Sequence, residues 1–168
     1  PNWNLTLNYG IKPKVLTGIL GIFTAPLIHI NYSHLIGNTI PFMALAGIVL
    51  MNGRKKFIFT SIFCALFAGI GIWIFGADGS IHTGSSTLIF SYLGFILVQA
   101  WLVRSLLTGL LALLSVSLYG TLLLTLLIDQ DGISWHGHIF GLLGGLIAAI
   151  LITQSPAKKK RKAIIKID

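Results

Sequence analysis

Four polar side chains in this sequence have the types and spacing to hydrolyse an acyl bond. Ser86 ends a Gly84-Ser85-Ser86 turn and opens an apolar run. His138 stands early in a second apolar run, and His34 and Asn38 open a third, at i and i+4. A serine hydroxyl is a weak nucleophile until a neighbouring base takes its proton, and neutral imidazole is suited to that task. Histidine and asparagine side chains donate hydrogen bonds of the kind a tetrahedral oxyanion requires, as does the Ser86 backbone N–H. Unpaired polar groups are costly to bury, so groups placed at one depth in apolar surroundings are expected to meet.

Helical spacing gives them a way to do so. Ser86, Phe90 and Gly94 follow at i, i+4 and i+8 and share one face. His138, Gly141 and Gly145 follow at i, i+3 and i+7 and share another. Glycines four apart let a second helix approach closely, so packing the two faces together brings hydroxyl and imidazole within hydrogen-bond reach. Phe90, one turn below Ser86, is then placed to pack against the imidazole. Ser85 and His136 are the rivals for the two roles. His136 points to a different face from His138 and lacks its alignment with the glycines. Asp78, Asp129 and Asp131 lie in loops, Asp168 is in the tail, and the chain has no glutamate. The expectation is therefore a Ser–His dyad without an orienting carboxylate. No metal site and no cofactor is expected. His-Glu-x-x-His is absent, as are the paired intraspan aspartates that an aspartyl mechanism would need.

The elements that must hold these residues are membrane helices. Only 10% of the 168 residues are charged and 55% are hydrophobic, with a mean hydropathy of +0.88. A soluble domain carries about 25% charged residues, so this chain lacks the polar atoms to cover a surface in water. Apolar runs predict spans at about 33–51, 57–75, 86–100, 106–128 and 134–152. Residues 1–33 read as an interfacial segment and loop, the apolar stretch 15–30 being short and interrupted by Pro26. The fold expected is an all-α polytopic bundle with a membrane domain over 1–153 and a basic tail over 154–168.

The net charge of +8 is a topology signal, and no nucleic-acid partner is expected. Arg54, Lys55, Lys56, Arg104 and the cluster at 158–162 fall at alternate loops and are predicted to face the cytoplasm. The acidic loops at 76–85 and 129–133 would face outward, with Lys12 and Lys14 as mild dissenters. The tail is placed to meet anionic lipid headgroups. The first span then starts outside, which predicts a sixth span upstream of residue 1.

Taken together, the motifs His29-x-x-x-x-His34-x-x-x-Asn38, Gly84-Ser85-Ser86 with Phe90, and His138-x-x-Gly141-x-x-x-Gly145 resemble the rhomboid family of intramembrane serine proteases. The likeness covers residues 9–153 in motif order and span arrangement. It implies that Ser86 is the nucleophile, consistent with the family's Gly-x-Ser spacing, and His138 its base. His34 and Asn38 would be oxyanion donors, with Gly84, Phe90, Gly141 and Gly145 in support. It further implies transmembrane protein substrates, a bacterial inner membrane and a site toward the outer face. The sequence leaves the oligomeric state open. Two features depart from the family pattern: Thr87 stands where glycine usually follows the serine, and no Trp-Arg loop motif is evident in 1–33. The alternative they keep open is an inactive relative that binds client transmembrane helices in the same gap.

Overall fold

A computed structural model describes residues 3–126 and 134–153. The loop aspartates Asp129 and Asp131, and the basic tail with Asp168, lie outside the described residues. A short helix α1 (Trp3–Tyr9) leads into three tight helical pieces: a 3-10 turn at Leu16–Gly18, α2 (Gly21–Thr24) and a second 3-10 turn at Ala25–Leu27. Pro26 falls in the first turn of that last piece, where its missing N–H costs nothing. The 15–30 stretch therefore forms no continuous helix.

Five long helices follow: α3 (Tyr32–Leu50), α4 (Arg54–Phe75), α5 (Ser86–Val103), α6 (Leu106–Tyr119, continued as a 3-10 turn to Leu126) and α7 (Trp135–Thr153). Local chemistry explains their ends. The Asn31 side chain caps α3 by accepting from His34 N at 2.8 Å. Gly53, at φ +101°, makes the turn into α4. Arg104 closes α5 in the left-handed region at φ 52°, and a Ser105–Thr108 capping box starts α6.

Three boundaries differ from the hydropathy reading. The α4 helix begins at Arg54, so the basic triplet occupies its first turn, where long side chains can reach past the apolar boundary. The α5 helix runs on to Val103 and spans about 27 Å at 1.5 Å per residue. The α-helical part of the fourth run stops at Tyr119 and tightens into the 3-10 turn.

Among the described residues, five helices are long and apolar enough to cross a membrane. The most buried of them is α5, which packs most extensively on α7. Leu88, Ile89, Leu93 and Phe95 of α5 form the core with Leu45, Val49, Cys64, Ala148 and Ala149. The outer surface is apolar as well: Met43, Leu106 and Leu113 are all more than 60% exposed. Such a surface is unsuited to water and suited to hydrocarbon.

The α5–α7 contact is as close as backbones allow. A Cβ on Gly141 would run into the Thr87 carbonyl, and one on Gly145 into the Ser91 carbonyl. From the opposite side, a Cβ on Gly94 would sit 2.6 Å from the Leu142 carbonyl oxygen. Gly137, a turn nearer the start of α7, is also close to its neighbours, though through side chains: a Cβ there would lie 2.6 Å from Ser134 Oγ and 3.0 Å from Thr87 Oγ1.

Candidate active site

Ser86 is the first residue of α5, reached through Gly84 in the left-handed region at φ +106°. Gly84 is required twice over. Its φ suits glycine, and a Cβ would lie 2.6 Å from His34 Cε1 and 3.3 Å from Asn38 Nδ2. The first turns of α3 thus lay both predicted donors against the turn that delivers Ser86. Gly84 N–H donates to the Ala25 carbonyl at 2.9 Å, which anchors that turn to the N-terminal segment.

His138 is 7% exposed and lies flat on Phe90, with ring centroids 4.1 Å apart and planes 15° apart. Stacking of this kind contributes about 1 kcal/mol beyond burial, and here it also sets the plane of the imidazole. A cavity of about 370 Å³ collects the residues that sequence spacing singled out. Ser86, His138, His34, Asn38 and Phe90 all line it. His34 Nδ1 and Asn38 Nδ2 are buried and have no hydrogen-bond partner among the described residues. Buried polar atoms left this way in a native fold call for an explanation.

The rivals are placed elsewhere. Ser85 is buried with its Oγ 3.4 Å from His29 Nε2, and it does not line the cavity. His29 stands edge-on to His34 at 5.2 Å between ring centroids, and burial, then the neighbouring His34, lower its pKa. His136 stands edge-on to Trp135 and is likewise absent from the cavity wall. Thr87 lines a separate small pocket with Ile11, Ile22 and Gly69. Its hydroxyl lies toward Gly137. The hydroxyl therefore occupies space conceded by Gly137, and Thr87 does not line the cavity beside His34 and Asn38. The sequence reading missed this pairing, and its signal was the small residue between the two histidines of His136-Gly137-His138.

Sequence reasoning also left His82 and Ser134 without a role, although both line the same cavity. His82 Nδ1 lies 2.7 Å from Ser134 Oγ, and His82 Nε2 lies 2.8 Å from Ser80 Oγ. Burial and, second, the nearby His136 lower the His82 pKa to about 4. The spacing held a clue: His82 precedes Ser86 by four residues, and Ser134 precedes His138 by four. Among the described residues, no group of His, Cys, Asp and Glu could hold a metal ion.

A bundle of apolar helices around a cavity that polar side chains help to line, with serine and histidine on helices in backbone contact, defines a class of intramembrane protein. The rhomboid domain model matches residues 17–155, and this chain belongs to the rhomboid family. It is an integral membrane protein. An uncharacterized protein of Mycobacterium tuberculosis is 35% identical over 160 residues, covering 90% of this chain and 66% of that protein. An uncharacterized protein of Mycobacterium leprae is 35% identical over 164 residues, covering 92% of this chain and 64% of its own length. The Bacillus subtilis protein YdcA, whose given name assigns it provisionally to the rhomboid proteases, is 25% identical over 142 residues, 84% of this chain and 69% of YdcA. The chain spans a little under two thirds of the length of the mycobacterial relatives it matches.

Proposed function

We propose that this chain is an intramembrane serine endopeptidase that cuts peptide bonds in or near transmembrane segments. Ser86 Oγ attacks the scissile carbonyl carbon while His138 takes its proton. The developing oxyanion is held by His34, Asn38 and the Ser86 backbone N–H. Collapse of the tetrahedral intermediate breaks the C–N bond, and His138 returns the proton to the leaving amine. Water, activated by His138, then hydrolyses the acyl-serine and restores the hydroxyl. Phe90 does for the imidazole what a carboxylate does in a triad: it holds the ring's orientation, though by stacking and without charge.

One observation carries the reading. Two half-buried side chains of α3 carry buried polar atoms that are unpaired among the described residues, in the wall of the cavity that also contains Ser86 and His138. Residues that only tied helices together would have their hydrogen bonds made. The position of Thr87 against Gly137, off the cavity wall, supports an active enzyme over a purely client-binding relative.

The substrate class is a membrane protein whose helix can unwind near its end, since an extended strand must reach Ser86. Arg54, Lys55, Lys56 and Arg104 lie at the helix ends opposite Ser86. The positive-inside rule then turns the cavity toward the outer face of a bacterial plasma membrane, with the basic tail in the cytoplasm beside anionic lipid. The test is cleavage of a single-span protein co-reconstituted in liposomes. Wild-type protein is expected to cut it and Ser86→Ala to bind without cutting. Binding without cleavage by the wild type would instead identify a client-binding protein.

A further inference from the structure

The side chain of His82 bridges the two halves of the candidate site, and its hydrogen bonds admit one arrangement of protons. Ser80 Oγ donates to the Ala77 carbonyl at 2.6 Å. A hydroxyl has a single proton, so toward the ring Ser80 can only accept, and His82 Nε2 must carry hydrogen. His82 Nδ1 is then the acceptor, and Ser134 Oγ–H donates to it at 2.7 Å. Ser134 Oγ accepts in turn from Gly137 N–H at 3.2 Å, in the first turn of α7. A neutral imidazole therefore completes a chain from the α7 backbone to the Ala77 carbonyl. In the charged ring both nitrogens donate, and the Ser134 proton loses its acceptor.

The backbone of His82 is fixed independently. Its N–H donates to the Ile11 carbonyl at 3.0 Å, and its carbonyl accepts from Ile11 N–H at 2.9 Å. The turn that delivers Ser86 is thus held by the N-terminal segment on one side. Its side-chain tie on the other side is to Ser134, at the start of the helix that carries His138.

We propose that His82 is a positioning residue for the hydrolysis: as a neutral imidazole it clamps the Ser86 turn to the start of α7 and so sets Ser86 and His138 at reacting distance. The inference rests on the protease reading above and extends it to a residue outside the dyad and the oxyanion donors. The pKa of about 4 agrees with a ring that stays neutral at physiological pH. A displacement of about 1 Å between reacting groups can cost on the order of 10²-fold in rate.

The test compares His82→Phe, which keeps a ring and removes both hydrogen bonds, with His82→Gln, whose amide offers one donor and one acceptor. Ser134→Ala and the double variant His82→Phe/Ser134→Ala complete the set. Active sites are counted by fluorophosphonate labelling of Ser86, and kcat and KM are measured per labelled site on a reconstituted single-span substrate. In His82→Phe, kcat is expected to fall about 10²-fold while KM stays within about three-fold. Partial recovery is expected in His82→Gln, and the double variant should be no worse than His82→Phe, because both substitutions break one bridge. If His82→Phe does not fold, Ser134→Ala carries the same comparison, removing the bond to His82 together with the one from Gly137 N–H, and a fall in its kcat is expected. Normal kcat per labelled site in the folded variants, a change confined to KM, or additive losses would each overturn the proposal. Absence of labelling in the wild type would overturn the protease reading and this inference with it; a labelled wild type with an unaffected His82→Phe would overturn the inference alone.

Discussion

The two ends of α5 treat buried polar groups in opposite ways. At the Arg104 end the side chains satisfy one another. Asn52 Nδ2 donates to Gln99 Oε1 at 3.0 Å, and Gln99 Nε2 returns a hydrogen bond to Asn52 Oδ1. Towards the middle of the helix, the Tyr92 and Ser61 hydroxyls lie 2.8 Å apart, and Ser61 also donates to the Phe57 carbonyl. At the Ser86 end, His34 Nδ1, Asn38 Nδ2 and Thr83 Oγ1 are buried without a partner among the described residues, beside a cavity about three times the volume of the 120 Å³ one that Asn52 and Gln99 line. Thr60, a buried hydroxyl on α4 with no partner among the described residues, departs from the pattern. A native fold tolerates unmade hydrogen bonds where they are used in another state. The contrast separates an end built to hold helices together from one built to receive a substrate.

The largest effect should come from the contact that supports both ends. Gly145→Val would drive a branched side chain into the Ser91 carbonyl and force α5 from α7. Overpacking of this kind costs about 3 kcal/mol, so melting in detergent should drop sharply and cleavage should vanish. A stable and active Gly145→Val protein would show that the two helices need not touch.

Asn38→Ala comes next. It removes a donor unpaired in the resting protein, so the melting temperature should hardly move. Turnover should fall on the order of 10²–10³-fold, as for a lost oxyanion donor, with KM little changed because the interaction belongs to the transition state. A lowered melting temperature with normal turnover per folded molecule would reduce Asn38 to a structural residue and break the contrast between the ends.

Gln99→Ala is the mirror experiment. It leaves Asn52 Oδ1 half-buried without its donor, while Nδ2 keeps the Val49 carbonyl, at about 1–3 kcal/mol. Stability should fall, and turnover per folded molecule should stay near the wild-type value. A selective loss of turnover would mean that the Arg104 end also serves the reaction.

The helices were legible in the sequence because apolar runs broken by Arg54–Lys56, Arg104 and the acidic loop fix their number and order. The grouping of the candidate site was legible because serine, histidine and asparagine are rare in such runs, and the four residues line one cavity. What the sequence did not reveal depends on contacts without a period. His82 and Ser134 are 52 positions apart in connecting segments, and Ile11 pairs with His82 through backbone alone. Nor does helical phase show that Thr87 is accommodated by Gly137, since that needs the rotation of α7 about its axis.

The smallest effect is in acid. In the unfolded chain His82 has the ordinary histidine pKa of about 6.5, and in the fold it falls to about 4. Between these values the unfolded state binds the extra proton, so stability rises with pH across that window. The contribution is complete above about 6.5 and gone below about 4. Melting temperatures between pH 7.5 and 4.5 should fall less steeply for His82→Phe than for the wild type. Parallel curves would show that His82 titrates alike in both states.

Covalent labelling tests the central claim most directly. Wild-type protein in detergent is treated with a fluorophosphonate, and the modified residue is mapped by mass spectrometry of its peptides. The account predicts a single adduct on Ser86, lost in Ser86→Ala and strongly slowed in His138→Ala, both variants melting as the wild type does. An adduct on Ser85, or labelling of Ser86 that proceeds unchanged without His138, would contradict it.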